Sequence, residues 1–237
     1  MTERELRPTV AVVVFPGSQD DRDAAWALAA VGAEPELVWH AETELPSRTG
    51  AVVLPGGFSY GDYLRCGAIA RFAPAMRAVA TFARDGGPVL GICNGFQILC
   101  EAGLLPGVLR PNASLSFVCR DVDVVVENAA TPFTRRCEPG QRLTIPVKHG
   151  EGCYYAPPEL LAELEASDRV VLRYADGDNP NGSVAGVAGV VSAAGNVMGL
   201  MPHPEHAVDP LLGSGDGALI LASLVETAAE RVFASAR

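Results

Sequence analysis

Residues 89–97 read Val89-Leu90-Gly91-Ile92-Cys93-Asn94-Gly95-Phe96-Gln97, a short apolar run that stops at a cysteine set between two glycines. The run 89–92 has no polar face, as expected of a strand buried on both sides of a parallel sheet. From Asn94 to Ala102 the apolar residues take helical spacing, and Gly103 closes the helix. A strand that passes into a helix through one residue predicts a sharp turn at Cys93, with Gly91 and Gly95 supplying the space for it. The thiol then projects alone above the carboxyl edge of the sheet. The N-terminus of the following helix adds unpaired N–H groups and a positive field that favours thiolate.

Upstream, residues 9–15 form a valine-rich strand ended by Pro16-Gly17. Ser18 reads as the N-cap of a helix with acidic residues in its first turn, running through Trp26 and Leu28 and closed by Gly32. Strands at 35–39 and 51–54 follow, the second stopped by Pro55-Gly56-Gly57. Residues 66–84 are helical in pattern, with a restart at Pro74. Downstream the chain is strand-rich, at 121–126, 143–147, 170–174, 187–191 and 197–201, and a last helix runs from near Asp216 toward Ala234. Strand–helix alternation in the first half predicts parallel β-α-β units, and the second half predicts antiparallel strands extending the same sheet. Residues 176–183, rich in Asp, Asn, Pro and Gly, read as a surface loop, so residues 1–237 are expected to form one domain.

Composition limits what such a site can serve. The 237 residues suffice for one large domain with a buried core. Hydrophobic residues at 49% and charged ones at 19% are globular composition. A formal charge of −10 argues against a nucleic-acid backbone or an anionic membrane as partner. The six cysteines, at 66, 93, 100, 119, 137 and 153, form no C-x-x-C pair, which predicts free thiols and a cytoplasmic location. Residues 1–8 are charged and do not read as a signal peptide. No apolar run approaches the roughly 20 residues that span a bilayer.

A thiol nucleophile needs a base, and there are four histidines. His40 reads as a solvated surface residue. His149-Gly150-Glu151 and His203-Pro204-Glu205 both place a carboxylate two residues beyond an imidazole, and on extended backbone such residues share a side. Pro202 and Pro204 stiffen the second pair. A carboxylate that fixes the imidazole tautomer completes a triad. The glycine-flanked first pair suits a pliant loop that contacts substrate or a partner. The glycine pair in Pro55-Gly56-Gly57-Phe58 can turn backbone amides toward a cleft, as an oxyanion hole requires. Neither a phosphate loop nor a metal-ligand pattern is present.

The elbow GICNGFQ (91–97), the segment PGGFSYGDYLRCGA (55–68) and MPHPE (201–205) resemble the class I (triad) glutamine amidotransferases. LLPGVLRPN (104–112), SFVCRDVDVVV (116–126), IPVKHGEGCYYAP (145–157), YADGDNPNGSVAGVAGV (174–190) and GNVMGLMPHPEH (195–206) are similar to one branch of that family. The branch is the separate glutaminase subunits of bacterial phosphoribosylformylglycinamidine synthases. The resemblance runs from Val10 to the helix after Gly213. It implies a three-layer, flavodoxin-like α/β sandwich with a central, mostly parallel sheet extended by antiparallel strands. It implies Cys93 as nucleophile, His203 as base and then acid, and Glu205 as orienting carboxylate. The amides of Gly57 and Asn94 would bind the oxyanion, and Gln97, Ser116 and Phe117 would contact glutamine. The implied partners are a large ATP-dependent synthetase subunit of PurL type and a small PurS-type subunit. ATP and Mg would belong to the synthetase, and this chain would carry no cofactor and no metal. Two departures are visible. His206 stands where the family usually has arginine, and the loop 174–179 is short. Two rival readings are a stand-alone PfpI-like cysteine hydrolase and a non-catalytic scaffold subunit.

Overall fold

Uninterrupted apolar runs dictate where the sheet lies. In β1 (Thr9–Val14), β3 (Thr49–Leu54), β4 (Val89–Ile92), β10 (Val187–Val191) and β11 (Val197–Leu200), consecutive residues are buried. Neighbouring residues of a strand face opposite ways, so both faces of this sheet are covered. The computed structural model describes residues 7–234, and the opening segment 1–6 read above as charged lies outside them.

The remaining sheet strands are β2 (Glu34–Trp39), β6 (Val118–Val126), β7 (Arg142–His149) and β9 (Val170–Tyr174). The order across the sheet is β2-β1-β3-β4-β11-β10-β9-β6-β7. β10 and β6 run against the other seven strands. Helix α1 (Asp21–Ala30) packs on β1 and against the C-terminal helix α5 (Gly217–Ala234), which covers β3. Helix α3 (Asn94–Glu101) covers β3, β4 and β11. The result is the expected three-layer sandwich with a mostly parallel sheet.

Several elements depart from the sequence expectation. Ser18 does not cap α1; its Oγ accepts from Phe15 N at 2.9 Å, closing the turn after β1, and Asp20 holds the N-cap position. Of the span 66–84 only α2 (Pro74–Arg84) is α-helical, preceded by a 3-10 turn at Ala70–Phe72. The reason is Gly67, at φ +78°, where a Cβ would lie 2.7 Å from Ile98 N. The segment is pressed against α3 in a conformation no helix adopts. Two short strands, β5 (Val108–Arg110) and β8 (Cys153–Tyr155), pair outside the main sheet, and α4 (Pro158–Ala166) precedes β9. Three-residue strands carry too little periodicity to read.

Candidate active site

Four neighbouring strands of the sheet, β1, β3, β4 and β11, end on the same edge, and the chain beyond each end builds one cavity of about 320 Å³. Cys93 is the first residue after β4, at φ +50° and ψ −103°. A non-glycine residue at positive φ is strained, and such strain persists where surrounding structure over-determines it. Here the flanking glycines do so. A Cβ on Gly95 would lie 2.0 Å from Leu54 O, and one on Gly91 would lie 2.6 Å from Gly95 O. The Cys93 N–H is held by Leu200 O at 2.8 Å. The thiol is 5% exposed and reaches Lys148 O at 3.9 Å.

His203 arrives from the end of β11, and its N–H donates to Pro146 O at 2.8 Å. Its Nδ1 lies 2.6 Å from Glu205 Oε1, and both side chains are fully buried. The shared side does not come from extended backbone, as the sequence suggests, because Pro204–His206 is a 3-10 turn. That turn brings the carboxylate back under its own histidine. Burial alone would make His203 a weak base. The charges and hydrogen bonding of Glu205 and Cys93 outweigh it and push the imidazole up to about 10. Nε2 meets no nitrogen or oxygen partner and borders the cavity with Cys93.

Asp20, unnoticed in the sequence, completes this wall. Its carboxylate is bonded to the Lys148 ammonium and lies 3.2 Å from His206 Nε2 and 3.7 Å from His203 Nδ1. Burial raises its carboxyl, but the hydrogen bonds and charges of His206, His203 and Lys148 win and hold it well below the usual carboxylate range. Donor atoms of Asp20, His203, Glu205 and His206 all lie within 4.8 Å of one another, close enough to hold a cation. As folded they hydrogen-bond one another and Lys148 instead, an arrangement suited to controlling a proton.

The other expected residues fall as follows. Gly57, at φ +140°, bridges to Ser18 through Gln19 N→Gly56 O and Phe58 N→Gly17 O. In that pattern its own N–H points away from the paired segment, and Gly57 lines the cavity. Asn94 opens α3, so its N–H is one of the helix's free donors, and its side chain ties Ser59 N, Asp62 and Gln97 together. Gln97 lines the cavity and donates to Glu151 O at 2.6 Å. Phe117 lines it as well. Ser116 does not: it is exposed, its Oγ donates to Ser114 O, and its carbonyl accepts from Asn112.

The pair His149 and Glu151 is not a pliant loop. His149 is the last residue of β7 and is 3% exposed, with Nδ1 3.1 Å from Asn112 Oδ1 and Nε2 3.4 Å from Asn181 Nδ2. Burial first, then the charge of His203, lowers it to about 4. Glu151 turns the other way, toward Cys66 and Asp62. Burial together with these two carboxylates pushes the Cys66 thiol far up. His40 is not free in solvent either, since Tyr60 Oη lies 2.6 Å from its Nδ1. What hid these partners in the sequence is that each arrives from a distant segment.

Known proteins bear on this arrangement. The model of the CobB/CobQ-like glutamine amidotransferase domain matches residues 7–217. The phosphoribosylformylglycinamidine synthase subunit PurQ of Rubrobacter xylanophilus is 62% identical over 216 residues, 91% of this chain and 97% of the relative. Its counterpart from Salinibacter ruber is 58% identical over 222 residues, 90% and 94% of the two chains. The solved structure of PurLQS from Thermotoga maritima contains a chain 45% identical, with a TM-score of 0.84 over 93% of this chain and 98% of that one. A glutamine amidotransferase from the same organism, 18% identical with a TM-score of 0.58, shares the fold. The chain therefore belongs to the CobB/CobQ-like glutamine amidotransferase family and, within it, to the PurQ subunits of phosphoribosylformylglycinamidine synthase.

Proposed function

We propose that this chain is the glutaminase subunit of a phosphoribosylformylglycinamidine synthase, in which Cys93 hydrolyses glutamine and the ammonia passes to a PurL-type synthetase. The observation that carries the reading is the Nε2 of His203, buried, without a nitrogen or oxygen partner and beside a strained cysteine, while Nδ1 is fixed by Glu205. His203 holds the proton of the Cys93 thiol as an imidazolium, and the sulfur attacks the carboxamide carbon. The tetrahedral oxyanion meets the N–H groups of Gly57 and Asn94. His203 returns the proton to the departing nitrogen, ammonia leaves, and a glutamyl thioester remains on Cys93. A water deprotonated by His203 then attacks the thioester and releases glutamate. Gln97 and Phe117 border the space for the rest of the substrate.

In this reading the partners are the PurL-type subunit, which carries ATP and Mg, and a PurS-type subunit, and residues 1–237 act as one domain without a cofactor of their own. We place the protein in the cytoplasm. In support, all six cysteines are free thiols, as a reducing compartment favours. Among the described residues no helix is long and apolar enough to cross a membrane.

The test is Cys93→Ser in the reconstituted complex. Glutamine-dependent product formation should vanish while added ammonium still supports it. An electrophilic glutamine analogue should label Cys93 and spare the other five thiols. Labelling elsewhere, or glutamine use surviving in the variant, would sink the reading.

A further inference from the structure

Asp20 sits at the N-cap of α1, where an aspartate ordinarily accepts from the first free N–H groups of its helix. It makes no such bond. Its carboxylate turns into the active site, where Oδ2 lies 3.7 Å from His203 Nδ1 and Oδ1 engages His206 and Lys148. The backbone is shaped around it, because a Cβ on Gly56 would fall 2.3 Å from Asp20 Oδ2 and 2.7 Å from His203 Cε1. The side chain is 4% exposed, so salt screens it little. The reaction described above uses Glu205 to orient His203 and leaves Asp20 without a part.

We propose that Asp20 is a second positioning carboxylate for His203, one that with Glu205 stabilises the imidazolium while the thiol proton resides on it. The inference rests on His203 being the base. The charged and titratable groups around His203 are Cys93 at the start of α3, Glu205 and His206 on its own turn, Asp20 before α1, and Lys148 and His149 at the end of β7. An anion at this distance favours the protonated ring. Lys148 works against it by engaging the same carboxylate. The two side chains thus push His203 in opposite directions, which a purely structural role would not do.

Two charge-removing variants read this out. In the reconstituted complex, Asp20→Asn should move the alkaline limb of the glutamine-dependent rate down by about one to three pH units, with KM unchanged. Lys148→Met should move it up. Histidine NMR of the full chain in a Cys93→Ser background, where His203 is one of four histidines, should show its proton lost at correspondingly lower and higher pH. If Asp20→Asn leaves both the limb and the His203 titration where the parent has them, the proposal is overturned. It is equally overturned if the two variants shift His203 the same way. Should Asp20→Asn fail to fold, an unmoved His203 in Lys148→Met overturns it alone. A parent complex with no Cys93-dependent rate would bring down the functional reading and this inference together. An active parent with unmoved variants would bring down the inference only.

Discussion

Replacing His149 with glutamine should make stability less sensitive to acid, by about 2 kcal/mol between pH 7 and pH 5. The imidazole is buried between two asparagines. Nδ1–H donates to Asn112 Oδ1, and Nε2 accepts from Asn181 Nδ2, so the neutral ring satisfies both. A second ring proton would find Asn181 offering another donor. Burial, and after it the charge of His203, lowers the ring from 6.5 to about 4. Between those values the unfolded chain binds a proton that the folded chain refuses, so stability rises with pH across the window. The contribution is whole above the unfolded pKa, is lost as pH falls, and levels off below the folded one. The full span is about 3 kcal/mol at 1.36 kcal/mol per pH unit. Urea unfolding of the parent and of His149→Gln at several pH values gives the difference directly, and titrations common to both chains cancel in it. The parent's advantage should shrink as pH falls. A constant gap, or one that widens in acid, would refute the account of His149 as a ring kept neutral by its surroundings.

The proposed mechanism gives the chemistry to the other histidine, so His203→Ala should slow labelling of Cys93 by a glutamine analogue roughly 10²–10⁴-fold, whereas His149→Gln should leave labelling largely intact. Reversed effects, measured by single-turnover labelling, would move the triad to residues 149–151. Gly95→Ala should destabilise the fold by about 3 kcal/mol or more, because its Cβ would enter the Leu54 carbonyl at 2.0 Å; near-parental denaturant midpoints would contradict that. The isolated chain should be a slow glutaminase that its synthetase accelerates. Tyr60, Gly61, Asp62 and Leu64 all stand at positive φ beside the cavity, and Tyr63 and Leu64 expose apolar side chains that a partner could engage. Equal turnover with and without the synthetase would count against it.

The nucleophile's half of the site was legible because its causes are local. A sharp turn needs small residues on either side, and Gly91 and Gly95 display that need in the sequence. The parallel half of the sheet was legible for a related reason. Strands buried on both faces must be continuously apolar, so β1, β3, β4 and β11 announce themselves. Elsewhere local pattern misleads. The span 66–84 has helical spacing, yet contact of Gly67 with α3 breaks the helix before Pro74. His149-Gly150-Glu151 looks like a loose loop, yet Asn112 and Asn181, from two other segments, pull the ring into the interior. Asp20 reads as one more acidic residue at a helix start. Only the fold shows that its carboxylate has left the helix for the base.

The proposed catalytic groups sit very close to the ends of hydrogen-bonded strands, and this explains how the site tolerates its own strain. Cys93 follows β4 directly, His203 is three residues beyond β11, and Gly57 three beyond β3. The backbone at each is pinned on both sides. Cys93 N is held by Leu200 O, His203 N by Pro146 O, and the Gly56–Phe58 turn by residues 17–19. A nucleophile at positive φ on a mobile loop would relax, and a thioester chemistry that depends on alignment would lose it. Here relaxation would require breaking the sheet. On the proposed function, the groups that would meet a substrate or partner are the ones expected to move. Gln97 is held by two hydrogen bonds it can exchange, and the segment 60–64, left-handed at every residue but Tyr63, is tied by Tyr60 N→Pro16 O, the Tyr60–His40 contact and the Asn94–Asp62 bond. Rigid chemistry beside an adjustable rim is what an amidotransferase needs if glutamine cleavage is to wait for a partner ready to receive ammonia.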